Sequence, residues 1–164
     1  MKTLIVRHVD QNDPAQFQVV RLPDGKTIGP VVMPSPVGFP VAGRPNSDLM
    51  RELRWYLEGF LDYPYHPETD HAERLRDALK AGGEQAFRTL FGDRATGRLF
   101  DAATSEQYGQ LQLQISSDDP RVLYWPWETL RDPEAGADLP GWRMPAARRT
   151  RHRYSTRFAI SSAA

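Results

Sequence analysis

At Asn46-Ser47-Asp48 the spacing of apolar residues changes from a period of about 2 to one of about 3.6, which restricts the chain to folds joining a β-rich front to a helical middle. Upstream, Leu4-Ile5-Val6 and Phe17-Gln18-Val19-Val20-Arg21-Leu22 are rich in β-branched and aromatic residues. Pro23-Asp24-Gly25-Lys26 then supplies turn chemistry. The turn predicts a hairpin whose return strand spans Thr27-Ile28 and Val31-Val32-Met33, interrupted at Gly29-Pro30. Five prolines between Pro30 and Pro45 remove donors that a central strand would need, so this stretch is predicted as a surface connection.

Downstream of the switch, Leu49, Leu53, Tyr56, Leu57, Phe60 and Leu61 share one helical face, and Pro64 ends that helix by Asp62. A second helix is predicted to open at Pro67-Glu68-Thr69-Asp70. Its stripe of Ala72, Leu75, Leu79, Ala86, Phe87, Leu90 and Phe91 passes through Gly82-Gly83, each glycine costing about 1 kcal/mol relative to Ala and marking a possible kink. A shorter third helix covers Ala95 to Ala103. Gln110 to Ser116 then alternates as a strand with one buried face, turned by Ser117-Asp118-Asp119-Pro120. Pro126 opens a short helical turn that buries Trp127 and Leu130. The fold class is therefore α+β: an N-terminal hairpin or meander, two or three amphipathic helices, then a further strand. The segments are 1–45, β-rich with a Pro-rich connection; 46–136, helices, strand and Trp-Pro-Trp element; and 137–164, an atypical tail.

The chain has 164 residues, 26 % of them charged, with 21 basic and 21 acidic groups, so it attracts neither nucleic acid nor membrane in general. It contains no cysteine, which excludes disulfides, zinc ribbons and a thiolate nucleophile and fits a reducing cytoplasm. No stretch approaches the ~20 apolar residues of a membrane span, and the N-terminal run is too short for a signal peptide. From Pro140 onward there are six arginines and no acid. This composition predicts a disordered or out-of-frame tail, with Arg148, Arg149, Arg151 and Arg153 as the residues that would hold nucleic acid weakly if any do.

Three segments in order carry a resemblance. Leu53 to Pro64, Ala72 to Phe91, and Leu111 to Pro120 followed by Trp125-Pro126-Trp127-Glu128-Thr129-Leu130-Arg131-Asp132-Pro133 are similar to the helices, strand and Pro-Trp-Glu element that lead into the core of bacterial CHAT-type, caspase-like proteins. The resemblance spans roughly residues 49–133 and implies a caspase-like α/β sheet, of which residues 111–116 would be the first strand, and peptide cleavage by a His–Cys dyad. Without cysteine the activity does not carry over, so the expectation is a non-catalytic N-terminal portion, truncated or frame-shifted, with a structural or interaction role. A protein partner, the peptidase core or a regulatory module, follows from that reading. A standalone interaction module is the alternative, and weak nucleic-acid binding through the tail a third reading.

Trp125, Trp127 and Glu128 are the candidate partner pocket, weighed against Trp127 as core filler and Glu128 as a local cap. Asp118 and Asp119 read as turn chemistry rather than paired catalytic carboxylates. His66, Glu68, Asp70, His71 and Glu73 read as a solvated helix start, because His66 and His71 are five apart with Pro67 between them and miss the i, i+4 spacing of metal ligands. His8 and His152 have no neighbours in sequence that suggest catalysis. No cofactor fingerprint is present, since none of Gly25, Gly29, Gly38 and Gly43 opens a helix directly after a strand.

Overall fold

A computed structural model describes residues 2–10, 16–36, 39, 41–42, 49–60, 68–105 and 111–134, together with the backbone alone of 148–150 and 153–159. The capping run Asn46-Ser47-Asp48, the breakers Pro64 and Pro67, His66, Arg151 and His152 lie outside the described residues. Strands β1 (Lys2–His8), β2 (Gln16–Leu22) and β3 (Lys26–Val32) form an antiparallel meander. Helices α1 (Leu49–Trp55), α2 (Thr69–Phe91) and α3 (Arg94–Thr104) follow, α1 running into a π-helical turn at Tyr56–Phe60. Strand β4 (Leu111–Ser117), the single turn α4 (Pro120–Leu123) and a 3-10 turn at Trp127–Thr129 come next. Strands β5 (Arg148–Thr150) and β6 (Arg153–Ala159) complete an α+β chain.

All the described strands share one sheet, in the order β3-β2-β1-β4-β6-β5. Strand β4 lies parallel to β1, pairing Leu4 with Leu113 and Val6 with Ile115. It joins the sheet of the N-terminal meander, a placement that the alternation of residues 111–116 did not specify. The physical reason is complementarity. Leu4 and Val6 are buried on the same face as Leu113 and Ile115, and pairing them builds one buried surface.

The hairpin is continuous where a break at Gly29-Pro30 was expected. A register shift between Phe17 and Val19 absorbs the irregularity, and Gly29 holds φ of 138°, a conformation few side chains tolerate. A Cβ at Gly29 would also stand 2.8 Å from the Phe17 carbonyl oxygen. Strand β3 is the sheet's outer strand, which is where a proline-bearing strand belongs.

The Arg-rich tail is not a disordered appendage where its backbone is described. Strand β6 pairs antiparallel with β4, matching Phe158 to Leu113 and Thr156 to Ile115, and β5 pairs with β6. The tail's charge obscured a strand pattern in which Tyr154, Thr156 and Phe158 alternate with Ser155 and Arg157. Pairing satisfies the donors and acceptors that β4 would otherwise leave open.

Two separate hydrophobic clusters result. The larger joins the sheet (Leu4, Val6, Phe17, Leu113, Ile115) to α2, α3 and the Trp125–Leu130 segment, with Phe87, Phe91 and Phe100 packed ring against ring. The smaller consists of Val41, Leu49, Leu75 and Ala78, with Phe39, Tyr56 and Leu79 against it. Helix α2 belongs to both, and its apolar stripe runs unbroken through Gly82-Gly83. Gly83 has a packing reason: a Cβ there would lie 1.8 Å from the Thr129 carbonyl oxygen, so only glycine lets the Trp-Pro-Trp segment cross the helix. The expected face of α1 holds at Leu49 and Tyr56, both on the smaller cluster, while Glu52 is also buried and Leu57, beyond the start of the wider π turn, is 54 % exposed.

Candidate functional site

Trp125 and Trp127 are both buried, with ring centroids 5.6 Å apart and planes inclined by 26°. The sequence sets this locally. Asp119 caps α4 by accepting the Arg121 backbone N–H, Pro120 starts the turn, and Pro126 then opens the 3-10 turn. The Trp127 indole N–H donates to the Val122 carbonyl at 2.7 Å, so its polar atom is satisfied inside the core. Phe17 of β2 lies 5.7 Å from each indole and meets Trp127 edge-on. The segment is thereby fixed to the sheet on one side and, through Gly83, to α2 on the other.

Their remaining faces line a cavity of about 320 Å³. Pro34 and Phe39, after β3, form one wall; Leu49 of α1 and Leu79 of α2 form a second; Gly82 and Ala86 of α2 form the floor. The cavity lies where the two hydrophobic clusters fail to meet, since it takes Phe39, Leu49 and Leu79 from the smaller and Trp125, Trp127 and Leu130 from the larger. Among the described residues no charged side chain lines it. Its volume falls within the ~300–1,000 Å³ of ligand pockets. It is roughly twice the ~150 Å³ that accommodates one benzene ring.

Glu128 is not part of this lining. It is exposed, yet partial loss of hydration pushes its carboxyl above the ordinary carboxylate value. Of the residues expected to form a pocket, the structure brings together Trp125 and Trp127. The prolines and Phe39 opposite them were assigned only to a surface connection.

Two buried polar clusters lie outside the cavity lining. At the carboxyl ends of the parallel strands, His8 Nδ1 is 3.0 Å from the Ser117 hydroxyl, which accepts the Asp119 N–H and donates to the Asp119 carbonyl. The Arg121 guanidinium, donating to the Asp119 carboxylate at 2.7 Å, holds that carboxyl below its usual range. Ser117 is 1 % exposed, so this cluster ties strand ends together and confirms the turn role of Asp119.

The second cluster corrects an expectation. His71 belongs to no solvated helix start: it is 5 % exposed, and its Nε2 lies 2.7 Å from the carboxylate of Glu52, itself 5 % exposed. A carboxylate only accepts, so Nε2 donates in this bond. Trp55 stacks on the imidazole at 4.0 Å, and Glu68 stands 3.6 Å from Nδ1. Glu52 and His71 each supply the other's hydrogen-bond partner inside the fold, an arrangement between two elements that local sequence does not reveal.

The arginines of the tail fall on the outermost ribbon, Arg148 and Arg149 in β5 and Arg153 in β6, with Arg151 outside the described residues. Among the described residues no helix is long and apolar enough to cross a membrane. Comparison with protein-family models, with curated proteins and with solved structures gives no match to this chain.

Proposed function

We propose that this chain works by binding rather than by catalysis, as the non-catalytic part of a CHAT-type, caspase-like system, and that its cavity receives apolar side chains of a polypeptide partner. The observation that carries this reading is the cavity walled by Trp125 and Trp127, with no charged side chain among the described residues that line it. Buried aromatic anchors and desolvated apolar pockets dominate the energetics of protein association. A cavity of about 320 Å³ is large enough for one or two ring-sized anchors. The resemblance of residues 49–133 supplies the partner, a caspase-like peptidase core or its regulatory module, and the sequence holds no cysteine with which to cut.

Titrating a CHAT-type caspase-like core against the chain by calorimetry tests the proposal. Association is expected for the wild type, and Ala86→Phe, which fills the floor of the cavity, is expected to weaken it at least tenfold, about 1.4 kcal/mol. A filled variant that melts cooperatively and binds as well as the wild type would overturn the proposal, as would the absence of any association.

A further inference from the structure

Helix α1 closes one side of the cavity through Leu49, and the smaller hydrophobic cluster to which Leu49 belongs is separate from the main core. No described α1 residue belongs to the cluster that contains the sheet, whereas α2 and α3 both contribute to it. A different interaction crosses from α1 to the first turns of α2: the buried bond between Glu52 and His71, with Trp55 stacked on the same imidazole. Among the described residues, the groups that face the ring are Glu52 and Trp55 of α1 and Glu68, which precedes α2. Directly after Trp55 the helix widens into the π turn, an irregularity that recurs at functional sites.

We infer that Glu52 and His71 are positioning residues for the cavity: their bond latches α1 over it, and releasing the latch lets Leu49 withdraw and leaves the site open and less able to hold its occupant. The inference rests on the proposed binding role of the cavity and adds its regulation. The geometry favours a latch over plain packing for two reasons. The bond is directional and short, and both partners are buried, so parting them leaves an uncompensated polar group on each helix. The latch also joins elements 19 residues apart in sequence, so its state sets the placement of α1 as a unit. A site whose competent conformation is populated only in part binds with an affinity reduced by that fraction.

The experiment follows the uncharged fluorescent probe N-phenylnaphthylamine, together with hydrogen–deuterium exchange, in the wild type and in His71→Leu, His71→Gln and Glu52→Gln. In His71→Leu, amides 49–55 are expected to exchange faster, those of 83–91 to stay protected, and the probe to bind about tenfold more weakly. His71→Gln, whose amide can still donate to Glu52, is expected to retain most of both properties. A role in apolar packing alone would rank Leu above Gln, and that order would overturn the inference. If His71→Leu does not melt cooperatively, Glu52→Gln carries the test: faster exchange at 49–55 with weaker probe binding supports the latch, and unchanged affinity sinks it. Failure of the cavity reading looks different, since the wild type would then not take up the probe, or Ala86→Phe would not exclude it.

Discussion

Glu128 stands next to a buried tryptophan and carries a carboxyl raised by lost hydration, so its charge opposes folding rather than assisting it. A carboxyl raised in the folded state costs stability above its folded-state value, and that cost vanishes once pH falls below the value in the unfolded chain. Glu128→Gln should therefore raise the melting temperature at neutral pH, and the gain should shrink to nothing on acidification through the carboxyl range; calorimetry across pH checks both. His71 illustrates the opposite limit of what a residue's neighbours in sequence disclose. Its acidic surroundings between Glu68 and Glu73 read as hydrated, while its burial depends on Glu52 and Trp55, which arrive from another helix. Trp125 and Trp127 were legible as core or pocket candidates because large aromatic side chains supply much of the buried area in both. The opposing wall was not, because Pro34 and Phe39 sit in a stretch whose only local signal is the loss of donors.

Helix α2 was readily legible, since 23 residues of 3.6-period apolar spacing leave little choice of structure. What local pattern could not supply was the reason for its two adjacent glycines, which have opposite environments. A methyl at Gly82 would meet the Phe39 ring at 3.6 Å, ordinary contact, whereas a methyl at Gly83 would collide with the Thr129 carbonyl. Gly82→Ala should thus stabilise the protein by up to about 1 kcal/mol through helix propensity alone. Gly83→Ala should destabilise it by roughly 1–3 kcal/mol, as overpacked sites do. Urea denaturation of the two variants decides the matter, and equal effects would contradict the close crossing. Strand β4 was legible for the same kind of reason, its alternation being strict. Its place beside β1 was not, because strand partners distant in sequence leave no periodic trace.

At the scale of the whole molecule, the tail hairpin covers what would otherwise be an open flank of β4. Removing residues 148–164 should leave that flank unpaired, and the shortened chain should aggregate or lose cooperative melting, measured by light scattering and thermal unfolding. A shortened chain that stays monomeric and melts sharply would show that the hairpin is dispensable. The parallel pairing of β1 with β4 has a further consequence, in time. His8 and Ser117, which close the ends of that pair, are separated by 109 positions. A ribosome adding residues at ~5–20 per second therefore delivers the second strand roughly 5 to 20 s after the first. During that interval the meander's inner margin has no native neighbour, and the nascent chain depends on dilution or a chaperone to keep other polypeptides from taking the vacant place.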